Sequence, residues 1–167
     1  VRTIAVPKRP GRARELAKQG RETAGDLFEA KAMGATLGVV ATDTGQHLAD
    51  GSAAISAGLD VLLEKPMAIN ARDAHQLRVR AKEQDRRIYV ACVLRFSESL
   101  NVFRDLLPKI GNLHSVRVEA QSYLPDWRPD RHYLDSFRSR PGEGGVLLDL
   151  IHEIDYARWL FGEVTEV

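Results

Sequence analysis

Leu59-Asp60-Val61-Leu62-Leu63-Glu64-Lys65-Pro66-Met67 is an apolar run that ends abruptly in an acid, a base and a proline. Asp60 to Leu63 has the length and composition of a buried strand. Two similar runs flank it, Leu37-Gly38-Val39-Val40-Ala41 and Ile88-Tyr89-Val90-Ala91-Cys92-Val93. Continuous apolar runs of strand length suit strands covered on both faces, as in a parallel sheet. Between them the sequence predicts helices over about Gln46 to Ala57, ended by Gly58, and over Ala71 to Gln84, with Asn70 as N-cap. Upstream, Thr3 to Val6 reads as a short strand closed by Pro7 and Pro10. Helices follow over Arg12 to Gln19, with Gly20 as the stop, and over Ala24 to Ala32. This alternation of strand and helix predicts βαβ units, and so an α/β fold with a doubly wound parallel sheet.

After Arg95 the pattern changes. Leu100 to Leu107 reads as a helix stopped by Pro108 and Gly111, and Ser115 to Ala120 alternates apolar with polar residues, the period of a strand with one wet face. Residues 125–142 form a loop rich in proline, arginine and aromatics, Val146 to Leu160 a helix, and Glu163 to Val167 the start of a further strand. The expected division is residues 1–94 as the parallel-sheet domain and residues 95–167 as the start of an α+β domain.

The 167 residues are 44% hydrophobic and 28% charged, ordinary for a globular protein, and the formal net charge of +1 gives no general pull toward nucleic acid or membrane. No apolar run reaches the roughly 20 residues of a membrane helix, and the N-terminal residues lack a signal-peptide core. The single cysteine, Cys92, rules out an internal disulfide and fits a reducing, cytoplasmic compartment. The five histidines and one cysteine show no metal-ligand spacing. His152-Glu153 opens like a zinc-protease helix motif, but Tyr156 stands where the second histidine is required.

In an open parallel sheet, ligands bind beyond the carboxyl ends of the strands. That rule nominates three loops: Ala41-Thr42-Asp43-Thr44 leading to His47, then Glu64-Lys65-Pro66, then Leu94-Arg95. A lysine just past a buried strand loses water, which favours its neutral form, and such an amine can exchange a proton with an alcohol or carbonyl. Pro66 offers a peptide bond able to adopt the cis form. The competing reading of Lys65 is a surface lysine before a turn proline. Asp149, His152 and Asp155 follow at intervals of three, which shares one face of a continuous helix. A carboxylate beside a histidine fixes its tautomer for proton transfer; the plain alternative is acids complementing a helix dipole. Gly142, Gly144 and Gly145, just before, allow close backbone approach to a ligand. The loop bearing Trp127, Arg128, Arg131, His132, Tyr133, Arg138 and Arg140 suits a phosphate or a sugar ring, or plain solvation, since Asp126, Asp130 and Asp135 offset its charge.

Four stretches together resemble the Gfo/Idh/MocA oxidoreductases: VVATDTGQH (residues 39–47), GLDVLLEKPMA (58–68), IYVACVLRFSESL (88–100) and GEGGVLLDLIHEIDYARWLFG (142–162). The resemblance implies a Rossmann-like domain, truncated here because the first strand and its glycine-rich turn have no counterpart, and a substrate domain lacking most of its sheet. It implies NAD(P)-dependent hydride transfer on sugars, cyclitols and their derivatives. By the same resemblance Lys65 is the general acid/base, His152 assists it or holds the sugar, and Asp149 supports His152 or binds substrate. Thr42, His47, Glu64, Lys65 and Arg95 are implied along the nicotinamide side, with Trp127 and Arg128 over cofactor or substrate. The Asp149–His152 interval of three departs from the family's more common four, and Glu143 interrupts the glycine run. Pro7-Lys8-Arg9, after the strand where NAD enzymes place an acid, leans toward NADP. The expected partner is a small molecule, phosphorylated or nucleotide-linked, with a homo-oligomer at full length. The opposing functional reading is a non-catalytic binding protein on the same fold.

Overall fold

The computed structural model describes residues 1–167 except Pro10, Arg128 and Arg131, and it divides into two compact units, Val1–Val90 and Ala91–Val167. In the first unit the order is β1 (Ile4–Ala5), α1 (Arg12–Lys18), β2 (Glu22–Thr23), α2 (Leu27–Ala32), β3 (Leu37–Val40), α3 (His47–Ser56), β4 (Asp60–Leu63), α4 (Ala71–Glu83) and β5 (Ile88–Val90). All strand pairs are parallel. β1 pairs with β2, and β3, β4 and β5 form a three-stranded sheet with β4 in the centre. This is the βαβ alternation that the apolar runs predict.

Local chemistry explains the helix boundaries. Asn70 caps α4 by accepting from the Asp73 amide at 2.9 Å, and Asp26 caps α2 by accepting from Glu29 at 2.8 Å. The second helix begins at Leu27, later than the sequence suggests, because Glu22–Thr23 is drawn into a strand beside β1.

The core lies on one face of the three-stranded sheet. Val40, Val61 and Leu63 pack with Ala54, Ile55, Leu59, Leu77 and Ala81 from the helices and their connections. Gly51 lets α3 and α4 come together: a Cβ there would meet Leu77 Cδ2 at 3.0 Å. Across the other face run Val39, Leu62 and Tyr89 in one register row, with Val39 66% and Tyr89 50% exposed. The expectation that these runs are buried on both faces is therefore corrected at Val39 of β3 and Tyr89 of β5, whose side chains are exposed. The β3 edge away from β4 is paired with no strand among the described residues. Together with Ile4, Val6, α2 and α3 it lines a cavity of 260 Å³.

In the second unit, a 3-10 turn at Val93–Phe96 leads into α5 (Glu98–Leu106). Further 3-10 turns at Leu124–Trp127, Tyr133–Asp135 and Phe137–Ser139 precede α6 (Val146–Asp149) and α7 (Ile151–Phe161). Ser115–Ala120 and Glu163–Val167 are not strands. An alternating sequence needs a neighbouring ladder to satisfy its backbone, and the described residues of this unit supply none. The continuous helix expected over Val146–Leu160 is also corrected, because Leu150, at φ −94° and ψ 28°, breaks it in two. No helix among the described residues is long and apolar enough to cross a membrane.

Candidate active site

Two of the three nominated loops meet. Lys65 stands two residues beyond the end of the central strand β4, and the Lys65–Pro66 bond is cis. On one side of Lys65 the Glu64 amide donates to the Val40 carbonyl at 2.9 Å. On the other, Pro66 is buried and its carbonyl lies 2.9 Å from Nδ1 of His47. The Lys65 amide also donates to Glu64 Oε2 at 3.0 Å. The side chain of Lys65 is half-buried.

His47 opens α3 and is 1% exposed. Its Nε2 lies 3.0 Å from the Thr42 carbonyl, so the ring sits between the loop after β3 and the loop after β4. Three residues on, one helical turn along the same face, Asp50 accepts from the Thr42 hydroxyl at 2.8 Å. The carboxylate of Asp50 also pairs with the ammonium of Lys8. Thr42 is thus held at both of its polar oxygens by α3. Asp50 carries no motif signal; only its interval of three from His47 marks it in the sequence. The Lys8 contact alters the picture of the Pro7-Lys8-Arg9 stretch, since one of its two cations is paired with a buried acid while remaining exposed itself.

In the second unit Arg95 makes a two-point ion pair with Asp155: Nε to Oδ2 at 2.9 Å and Nη2 to Oδ1 at 2.6 Å. The Arg95 hydrogen bond holds the Asp155 carboxyl below its usual range, against burial, which pushes it up. Cys92 lies beside the same carboxylate; burial first, then the charge of Asp155 and a hydrogen bond to it, raise its thiol. His152 lies one turn before Asp155 on α7, and its Nδ1 is buried without a hydrogen-bond partner among the described residues, as is Oε2 of Glu153.

Asp149 ends α6 rather than sharing a helix with His152, and it accepts from Arg138 Nε at 3.1 Å. The Arg138 guanidinium also stands over the Trp127 ring, 5.6 Å from its centroid, and over Phe137 at 4.8 Å. Trp127 Nε1 donates to Ser122 Oγ. Trp127, Arg138, Val146 and Asp149 line a cavity of 140 Å³. The arginine that meets Trp127 among the described residues is thus Arg138; Arg128 lies outside them. The glycine run serves this loop: a Cβ on Gly144 would sit 2.0 Å from the Arg138 carbonyl oxygen, and the Gly145 amide donates to that oxygen at 2.9 Å. The described residues hold no cluster of three or more histidine, cysteine or acidic side chains able to bind a metal.

A nicotinamide dinucleotide fits this chain at one end. The loops Ala41–Asp43 and Glu64–Lys65 stand at the carboxyl ends of neighbouring parallel strands, where open α/β sheets take nucleotides. No G-x-G-x-x-G turn to hold the pyrophosphate occurs in the 167 residues.

Comparison with known proteins agrees with this architecture. Residues 9–92 match the NAD-binding Rossmann-fold model of the Gfo/Idh/MocA oxidoreductase family, and residues 108–167 match a Gfo/Idh/MocA C-terminal domain. The rhizopine catabolism protein MocA of Rhizobium meliloti is 30% identical over 145 residues, covering 85% of this chain and 42% of that protein. The 1,5-anhydro-D-fructose reductase of Ensifer adhaerens is 32% identical over 129 residues, covering 74% of this chain and 37% of its own. A probable dehydrogenase from Thermotoga maritima superposes with a TM-score of 0.72 at 25% identity, covering 98% of this chain and 48% of that one. The chain therefore spans less than half the length of these relatives. With both family domains matched in order along its length, the chain belongs to the Gfo/Idh/MocA family of oxidoreductases, whose N-terminal domain is an NAD-binding Rossmann fold.

Proposed function

We propose that this chain carries the proton-handling part of an oxidoreductase acting on a sugar- or cyclitol-like alcohol or its carbonyl, with Lys65 as the general acid/base. The observation that carries the reading is the place of Lys65: half-buried, two residues past the central strand of a parallel sheet, with a backbone anchor on each side. An amine fixed at such a rim can accept a proton from a hydroxyl as it is oxidised, or return one to a carbonyl as it is reduced. A bound NAD(P) supplies the hydride chemistry. Thr42 and Glu64 stand along the rim where its nicotinamide end would lie. His47 would lie beside that end rather than touch it, since both of its ring nitrogens face backbone carbonyls.

In the second unit, the assisting role proposed for His152 is supported by its Nδ1, which is buried without a partner among the described residues. Asp149 acts through Arg138 rather than through a shared helix face. The sugar reading is supported by the resemblance to a 1,5-anhydro-D-fructose reductase. Arg95, engaged by Asp155, contributes by holding α7.

Steady-state kinetics on the full-length gene product test the central role. Lys65→Ala should lower kcat by on the order of 100-fold, the usual scale for loss of a general acid/base. Turnover within about twofold of wild type would remove Lys65 from the chemistry.

A further inference from the structure

From its two carbonyl contacts we infer that His47 is a positioning residue that yokes the Lys65 loop to the loop after β3, and so fixes where the Lys65 amine stands. The inference rests on the acid/base reading of Lys65 for its effect on turnover, though not for its effect on geometry.

The geometry is specific. The ring is 1% exposed, so its nitrogens depend on protein partners rather than bulk water. Both nitrogens face main-chain oxygens, Pro66 at 2.9 Å and Thr42 at 3.0 Å. A carbonyl only accepts, so a neutral ring donates to one of these oxygens and a doubly protonated ring to both. The doubly protonated ring therefore ties both loops by hydrogen bonds, while the neutral ring ties one loop to α3 and packs against the other; an apolar side chain of similar size ties neither.

The anchor is placed where it counts. Glu64, before Lys65, is tied to β3 through the Val40 carbonyl. Pro66, after Lys65, is tied to α3 through His47. Without the second tie, the backbone after Lys65 loses its hydrogen bond to the first turn of α3. The other end of the ring is equally well founded, because Thr42 is held at its hydroxyl by Asp50 on the same helix. The first turn of α3 thus registers both loops against one rigid element. Misplacement of a reacting group by about 1 Å can cost on the order of 100-fold in rate.

Two variants separate this role from mere packing. His47→Leu fills the space and removes every ring N–H; His47→Gln keeps an amide able to donate. Circular dichroism establishes folding. The first readout is the rate at which Lys65 is acetylated by limiting acetic anhydride, relative to Lys31 and Lys82 in the same sample, followed by mass spectrometry. The second is kcat and KM of the full-length gene product.

His47→Leu should shift the relative acetylation rate of Lys65 and lower kcat about tenfold or more with little change in KM. His47→Gln should return both toward wild type. A folded His47→Leu protein with wild-type Lys65 labelling and kcat overturns the inference. So does a His47→Gln protein that fails to fold or is as impaired as His47→Leu, because donors would then not be what matters. If Lys65 labelling responds to His47 while Lys65→Ala retains turnover, the yoke stands and the acid/base reading falls. If Lys65→Ala abolishes turnover and His47→Leu moves neither readout, the reverse holds.

Discussion

Arg95 and Asp155, 60 positions apart, grip each other through two parallel N–H to oxygen contacts of 2.9 and 2.6 Å. The pair ties the 3-10 turn at Val93–Phe96 to α7, the helix that carries His152. Its two halves differ in exposure: the Asp155 side chain is 15% exposed and that of Arg95 43%. The partly buried acid therefore depends on the arginine more than the arginine depends on it.

Arg95→Leu should destabilise the second unit by about 1–3 kcal/mol, because it leaves a partly buried carboxylate without its donor. Asp155→Asn should cost less, since the exposed guanidinium returns to water. The pH dependence has a definite sign. Asp155 is held below its unfolded value, so its stabilisation is fully present above the ordinary carboxylate range and is lost as pH falls through the lowered value. Urea melts at pH 7 and in the acid range should converge for wild type and Asp155→Asn at low pH and separate at neutral pH. Equal separation at both would show that the pair is not the source.

Cys92 should be a slow nucleophile. Burial and the neighbouring Asp155 carboxylate both raise its thiol, so little thiolate is present near neutrality. Reaction with a disulfide reagent at pH 8 should run slower than for a free thiol peptide, and Asp155→Asn should speed it. A rate at or above the peptide's would contradict this environment.

The parallel sheet was legible because its signal is local. The runs at Leu37, Asp60 and Ile88 are apolar over strand length, and Asn70 announces its helix with a side-chain cap that the fold uses. The ligand-side rule likewise brought Thr42 and Glu64-Lys65 to neighbouring strand ends. What could not be read depends on tertiary partners. Ser115–Ala120 has a strand's alternation, yet no ladder beside it. The Asp149–His152 interval fits one helix face, yet Leu150 breaks the helix and Arg138 takes the carboxylate. The partner of Lys8, a buried acid 42 positions away, leaves no periodic trace at all.

Gly144→Ala should be among the most damaging single-methyl changes in the second unit. The added carbon would lie 2.0 Å from the Arg138 carbonyl oxygen and 2.4 Å from its Cα, and backbone cannot yield as a flexible side chain does. The loop must shift, disturbing the Arg138–Asp149 pair and the Trp127 stack with it. A loss of about 1–3 kcal/mol is expected, the usual range for overpacking. A fall in Trp127 fluorescence change on unfolding, compared in a Trp159→Phe background, would report the stack. An unaltered melting curve would show that the loop accommodates the methyl group.

The lean toward NADP can be divided between two cations. Lys8 and Arg9 are both exposed, but Lys8 is paired with Asp50. In the full-length gene product, Arg9→Ala should lower the ratio of kcat/KM for NADPH to that for NADH more than Lys8→Ala does, since an already paired ammonium has less to offer a 2′-phosphate. Equal effects, or a larger one at Lys8, would mean that the ammonium leaves Asp50 when cofactor binds.

The exposed apolar side chains of the three-stranded sheet predict self-association of this chain. Val39 is 66% exposed and Leu37 48%, both on a strand whose outer edge is paired with no strand among the described residues. Val39, Leu62 and Tyr89 extend the apolar row across the face. An exposed apolar edge invites pairing with a second chain, and a lysine there is a common natural defence. Val39→Lys places its charge in water, so the change in folding stability should stay within about 0.5 kcal/mol. Light scattering across a concentration series should then show association of the wild-type 167-residue chain moved to higher concentration by the substitution. If the two series coincide while both proteins remain folded, contacts elsewhere drive the assembly, and the β3 edge is already protected by the cavity walls that Ile4, Val6 and α2 provide.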